Sequence, residues 1–299
     1  MFDHFRQRQH KRWFNLRCAA IDRTPPVRCN PDSDVVIVSQ VYPPDTTMLL
    51  LAAKSFSRHL APRGFVLVDD GLREADKARL NHHLGQVTYL PTAQAADAAL
   101  PRGGTWERLA TLARENAAHY VIQLDSDMLT LQPPREVLDC VARRRSFTLG
   151  TSSGTRPVPV QTASDYARQH DSPHVQNAAE RALDQLPGAP ALKYVRGCSG
   201  FTGFAPGTLS PQRIREFSTA MQGLLGTRWS EWGTEQVTSN FMAANAPDAM
   251  VLPVDRYPFW MPGADLDPVA MVHFFGTFRF QGGMYQRRAL QLCRELAAG

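Results

Sequence analysis

The chain has 299 residues, 43% of them hydrophobic and 20% charged, with a formal net charge of +5. This mix can build a full globular core and excludes a disordered or membrane-spanning class, since no apolar run approaches the ~18 residues needed to cross a bilayer. The modest positive charge suits an anionic ligand such as a nucleotide diphosphate, an acidic glycan or a membrane surface. Nucleic acid is not indicated, because zinc-finger spacing, an RNA-recognition aromatic signature and a basic heptad region are all missing.

The N-terminal segment MFDHFRQRQHKRWFNLRC is basic but has no apolar stretch behind it, so it is not a secretory signal. Its Arg6, Arg8, Lys11, Arg12, Trp13 and Phe14 fit either a solvated, helix-capping arm or a basic-aromatic contact with a membrane or partner. Residues 24–33, TPPVRCNPDS, have the composition of a linker, which sets residues 1–33 apart from a main domain at 34–299. The five cysteines, Cys18, Cys29, Cys140, Cys198 and Cys293, form no C-x-x-C pair. That argues against structural zinc and a disulfide framework, and for a reducing, cytoplasmic compartment, with a membrane contact falling on its inner face.

The main domain begins with VVIVS (35–39), a β-branched apolar run of the kind buried in parallel sheets. A helix is expected over 46–59, a second strand at 65–68 ending in Asp69, Asp70 and Gly71, a charged helix through Lys77, Arg79 and Leu80, and a third strand at 87–90. The helix at 105–119 carries Leu109, Leu112 and Ala113 on one side and Arg108, Arg114 and Glu115 on the other. It leads into YVIQL (120–124), a fourth strand ending at Asp125. Such alternation implies an open, mostly parallel sheet with helices on both faces, whose ligands bind beyond the carboxyl ends of the strands. Ser39, Gln40, Asp69, Asp70, Asp125 and Asp127 all fall at those ends. After 147–151 the texture changes: residues 152–190 are polar with short helices, and the remainder mixes glycine-rich turns with aromatics.

Asp125-Ser126-Asp127 carries the most chemistry. Hard divalent cations such as Mg²⁺ or Mn²⁺ take oxygen ligands, commonly one or two carboxylates plus substrate phosphates. Two residues apart on extended backbone, the two carboxylates face one side, and their mutual repulsion is reversed by a cation. A phosphatase of the haloacid-dehalogenase type also has D-x-D after a strand, but wants Thr or Val where this chain has Leu129, and wants it after the first strand. Arg108 fits either a phosphate contact or an exposed helix charge, and Ser199 and Gly200 of RGCSGFTGF fit a contact with a donor sugar. Trp229, Trp232, Tyr257, Phe259 and Trp260 divide between core and an acceptor platform. His170 and His174 belong to the surface.

With these motifs in place the chain resembles the GT-A-fold glycosyltransferases, nearest to the glycogenin and lipopolysaccharide-galactosyltransferase type, over roughly 35–285. VVIVSQ resembles the first strand, FVLVDDG the second, VIQLDSDML the metal-binding D-x-D, and HFFGTFRF the late segment whose histidine completes the metal site. GTEQ is a looser match to an acid-glutamine pair beside the transferred sugar. The resemblance implies a GT-A-like, Rossmann-like nucleotide-sugar-binding half at 34–151 and a mixed α+β acceptor-side half at 152–299. It implies Mn²⁺ or Mg²⁺ on Asp125, Asp127 and His273, the donor base read by Asp69 or Asp70, and Glu235 and Gln236 at the catalytic centre. The donor is expected to be a UDP-sugar, the acceptor a glycan, lipid-linked or other carbohydrate, and retention is preferred to inversion. The lysine-containing ending of the glycogenin group is missing, with Arg279, or Arg287 and Arg288, as substitutes, and the acid before Gln236 is Glu rather than Asp. A nucleotidyltransferase or a non-catalytic nucleotide-sugar-binding scaffold are the alternatives, but SQVYPPDTT lacks the glycine-rich basic loop of the former.

Overall fold

The structure, a computed structural model, describes residues 2–298, with residues 2–6 and 277 described by their backbone only. The first half of the chain forms α1 (Phe2–Arg17), β1 (Val35–Val41), α2 (Thr46–Ser57), β2 (Gly64–Asp69), α3 (Glu74–Leu84), β3 (Val87–Pro91), α4 (Thr92–Ala95), α5 (Trp106–Glu115) and β4 (Tyr120–Leu124). Next come β5 (Met128–Thr130), α6 (Arg135–Ala142), β6 (Phe147–Leu149), β7 (Val158–Pro159), α7 (Val160–Gln169), α8 (Val175–Ala182) and β8 (Lys193–Tyr194). The chain ends with β9 (Cys198–Phe204), α9 (Pro211–Leu225), α10 (Thr234–Ala244), β10 (Met250–Leu252), β11 (Met271–His273) and α11 (Met284–Ala298). The fold is α/β, built on a seven-stranded, mostly parallel sheet with helices around it. The expected alternation of strand and helix through β4 is present, and the polar stretch after residue 151 contains the short helices α7 and α8.

The chain divides into two compact units, each drawn from separated stretches. The first comprises the described residues of Met1–Pro91, Leu124–Arg135 and Asp255–Gly299. Here β1 pairs in parallel with β2, and β2 with β3, in the register Val38↔Val66↔Thr88. The valines and isoleucine of β1 are buried, as their β-branched run requires of a strand covered on both faces. Helix α2 buries Met48 to Ala53 without a break. A separate antiparallel pair, β5 with β11, sets His273 opposite Met128. Helix α1 is held to this unit by Phe14, whose ring lies 4.4 Å from that of Tyr285, and the short 3-10 helix after it buries Cys18 and Ile21.

The second unit comprises Thr92–Gln123 and Glu136–Val254. In it β10 runs parallel to β6, and β6 antiparallel to β9. Glycine is required in β9 at Gly203, where a Cβ would stand 2.2 Å from the Phe147 ring. Trp229 is fully buried against Trp106 and Phe217. All five cysteines are free thiols.

Candidate active site

In the first unit the chain leaves β4 at Leu124 and turns at once. The turn is closed by Met128 N–H donating to the Asp125 carbonyl at 3.2 Å. Asp125 and Asp127 therefore converge across a tight turn rather than along extended backbone, because the chain must bend out of the main sheet to pair β5 with β11. Asp125 is half-buried, whereas Asp127 and His273 are buried. One ligand atom from each of Asp125, Asp127 and His273 lies within 4.8 Å of the other two. Two carboxylates and an imidazole at that separation make a donor set that fits a Mn²⁺-like ion, with Mg²⁺ less suited to the imidazole.

The second element of the triad is placed by the β5–β11 pair. Phe274 N–H donates to the Asp127 carbonyl at 2.9 Å, and the His273 backbone is tied to Pro258 and Trp260. His273 Nε2 then lies 3.2 Å from one Asp127 oxygen, and Arg279 donates to the other at 2.5 Å. Arg279 is itself oriented by its Nε–H, which donates to the Phe274 carbonyl at 2.8 Å. Burial alone would raise the Asp127 carboxyl, but the charges of His273 and Arg279 outweigh it and hold it well below the usual carboxylate range. Asp45 faces the same group, and Lys11 of α1 holds Asp45 at 2.5 Å.

The other strand-end residues of this unit differ in what they offer. Ser39 donates its hydroxyl to the Leu124 carbonyl at 2.6 Å, pinning the end of β1 to the start of the acidic turn. Gln40 has a buried amide oxygen with no hydrogen-bond partner among the described residues. Asp69 spends one oxygen on Leu72 N–H at 2.7 Å and the other on Lys77 at 2.9 Å, while Asp70 is exposed. The Ser126 carbonyl accepts from the Tyr285 hydroxyl at 3.3 Å. Tyr257 and Trp260 are core; Phe259 is half-buried, its ring 5.4 Å from that of His273.

The second unit holds a separate polar cluster at the start of α10. Glu235 is buried, and its Oε2 accepts from the Thr105 hydroxyl at 2.9 Å and the Ser199 hydroxyl at 3.1 Å. Arg108 lies 3.5 Å from the same oxygen. Gln236 accepts from Ser199 N–H at 3.4 Å and donates to Gln176 at 3.1 Å. Gly200, buried in β9, donates its N–H to the Cys198 sulfur. Arg108, Ser199, Glu235 and Gln236, all singled out from sequence, thus share one hydrogen-bonded group. Thr105 and Gln176 were not. Thr105 has a left-handed backbone with φ of 74°, unusual for a β-branched residue, and follows Gly103 and Gly104, which share that conformation. The Gly-Gly-Thr step ahead of a helix was its only trace in the sequence; Gln176 left none. Trp232 is 73% exposed and edge-on to His174, and His170 stacks on Tyr166 at the surface.

No protein-family model matches the sequence, and no curated protein matches it. Solved structures do. The galactosyltransferase LgtC, crystallised with donor and acceptor sugar analogues, superposes with a TM-score of 0.53 at 15% identity, over 87% of this chain and 95% of its own. An active-site mutant of LgtC gives 0.50 at 14% identity, over 87% and 95%. The bifunctional glycosyltransferase WbbM gives 0.51 at 10% identity over 89% of this chain, which spans about half (53%) of the WbbM chain. These likenesses establish a GT-A fold of the kind found in glycosyltransferases.

Proposed function

We propose that the chain is a metal-dependent glycosyltransferase that moves a sugar from a nucleoside-diphosphate sugar, most simply a UDP-sugar, to a carbohydrate-containing acceptor. The observation that carries this reading is the convergence of Asp125, Asp127 and His273 in a chain that has the GT-A fold. A Mn²⁺ or Mg²⁺ ion held by those three side chains would supply charge stabilisation for the nucleoside diphosphate as it leaves.

The remaining roles belong to the chain's own groups. Arg279 already presents a half-buried guanidinium beside Asp127, and is assigned as a partner of the diphosphate in place of the missing lysine. The unpartnered amide oxygen of Gln40 suits a ring N–H of the base, and exposed Asp70 is assigned to the base and ribose in preference to Asp69, whose oxygens are engaged. Ser39 and Ser126 shape this edge.

In the second unit, Glu235 and Gln236 are assigned to the transferred sugar and acceptor, with Ser199 and Gly200 on the sugar and Arg108 holding the carboxylate. A carboxylate oxygen that already takes two hydroxyl donors and faces Arg108 is better suited to stabilising positive charge on the sugar than to abstracting a proton. That favours retention. The active-site mutant of LgtC exchanges a glutamine for glutamate, which supports a glutamine in the working site of that protein. A cytoplasmic enzyme acting on a lipid-linked acceptor would work at the inner face of a membrane. No helix among the described residues is long and apolar enough to cross one.

The test is a thermal-shift screen of nucleotide sugars with and without Mn²⁺, since a ligand that binds only the folded state raises its melting temperature, followed by assay of nucleoside diphosphate release. A shift that needs both Mn²⁺ and a nucleotide sugar is expected. Absence of any such shift defeats the reading, and pyrophosphate release from a nucleoside triphosphate and a sugar phosphate would replace it with a nucleotidyltransferase.

A further inference from the structure

We propose that the outer face of α1 docks this protein onto an anionic lipid surface. The inner face of the helix fixes which residues point outward. Phe14 is buried against Tyr285 and Phe280, Lys11 donates to the Tyr42 hydroxyl at 2.6 Å and pairs with Asp45, and Asn15 donates to the Pro44 carbonyl. The helix is therefore held at three successive positions along one side and cannot roll to hide the other.

On that other side stand two large apolar side chains, Trp13 at 60% exposure and Leu16 at 62%. They are three residues apart and so are neighbours on the helix surface. Arg8, Arg12 and Arg17 are exposed around them. None of these three arginines has a hydrogen bond or ion pair with any described residue, while Arg58, Arg73, Arg79, Arg168, Arg196 and Arg215 all hold carboxylates. An apolar ridge with unpaired guanidinium groups on its flanks is the pattern of a helix lying in a headgroup layer. The indole sits at the polar-apolar boundary, the leucine enters the acyl region, and the arginines meet phosphates. A groove of about 930 Å³ beside the ridge, whose lining includes Arg8, Arg12 and Leu16 and the already paired Lys11 and Arg79, the latter with Asp22, has room for a phospholipid headgroup.

Charge decides between occupants. Two copies packed on this face about a two-fold axis would set the same arginines against one another. An anionic bilayer neutralises all three. The inference does not depend on the metal site: Trp13, Leu16 and the three arginines touch none of its members. If the catalytic assignment is right, docking brings the enzyme to lipid-linked acceptors.

The experiment uses the full chain and co-sedimentation with vesicles of phosphatidylcholine alone or mixed with phosphatidylglycerol, at low and high salt. Binding is expected to the mixed vesicles only, and to weaken with salt. The triple variant R8Q/R12Q/R17Q should lose affinity at about fivefold per arginine, and W13S/L16S at least about tenfold, at about fivefold for every 1 kcal/mol of apolar burial lost. Both should keep the melting temperature of the parent, because the replaced side chains face solvent. The proposal is overturned if the parent ignores anionic vesicles, if neutral vesicles bind it equally, or if either variant binds like the parent. A concentration-dependent dimer that W13S/L16S abolishes would equally overturn it, in favour of a second copy. A parent that binds vesicles yet shows no Mn²⁺-dependent response to nucleotide sugars keeps this inference and loses the catalytic one.

Discussion

Arg279 and Asp127, 152 residues apart in sequence, meet at 2.5 Å across the β5–β11 pair. The contact draws the C-terminal stretch onto the acidic turn, and Asp127 in turn raises the pKa of Arg279 against the opposing effect of burial. The guanidinium is thus committed to being charged where a diphosphate is proposed to bind.

Replacing it tests that role. Arg279→Gln removes a charge-assisted hydrogen bond, a change of about 1.5–3 kcal/mol. The expected result is a KM for the nucleotide sugar raised by roughly tenfold to a hundredfold, with Arg279→Lys in between. An unchanged KM in Arg279→Gln, measured by initial rates at saturating Mn²⁺, would remove Arg279 from the donor site.

Asp127→Ala should abolish metal-dependent turnover, a loss of about a thousandfold or more given the several kcal/mol that charge stabilisation supplies. It should also abolish the Mn²⁺-dependent thermal shift. Because it strands His273 and Arg279 without their shared partner, it should cost roughly 1–3 kcal/mol of stability as well. Asp127→Asn, which keeps the shape, separates the two effects: folded protein, no Mn²⁺ response. Chelation of the parent should reproduce the loss of turnover reversibly.

The sequence made the main sheet legible because buried strands announce themselves as short apolar runs, as at Val35–Val38 and Tyr120–Leu124. It exposed the acidic pair for the same reason, since the pair follows such a run. Other features had no local signature. β5 and β11 are three residues each, and nothing local says that Met128 will face His273. Asp69 looked equivalent to Asp70 until its oxygens proved to be engaged by Leu72 and Lys77. Phe14, Cys18 and Ile21 do form an apolar stripe at i, i+4 and i+7, but the basic residues around them mask it.

Thr105 offers a test of the second cluster that separates strain from function. Its positive φ costs roughly 1–2 kcal/mol for a residue with a Cβ, and its hydroxyl holds Glu235. Thr105→Gly should relieve the strain and lose the hydrogen bond, leaving stability within about 1 kcal/mol of the parent. Thr105→Ala should keep the strain and lose the bond, and fall by about 1 kcal/mol. Both should lower kcat if Glu235 must be held in place. Denaturant melts and steady-state rates measured together decide this; full activity in both variants would show that the threonine serves the fold alone.

Buried on α2, Lys54 donates to Thr24 and Pro25 and lies 3.0 Å from His83 Nδ1, with Asp22 3.5 Å from the other side of the ring. Burial, helped by the charge of Lys54, pushes His83 down from 6.5 to about 4, and burial pushes Lys54 down from 10.5 to about 8. In both cases the folded state holds its proton less tightly than the unfolded chain. The unfolded state therefore binds more protons between about pH 4 and 6.5, so stability rises with pH through that window and is lost as pH falls through it. Lysine repeats the pattern between about pH 8 and 10.5. The melting temperature should accordingly drop on acidification from pH 6.5 to 4, and His83→Gln, which cannot titrate, should flatten that limb. On the alkaline side Lys54→Met should flatten the rise between pH 8 and 10.5. A melting profile for His83→Gln as steep as the parent's below pH 6.5 would mean that other groups set the acid limb.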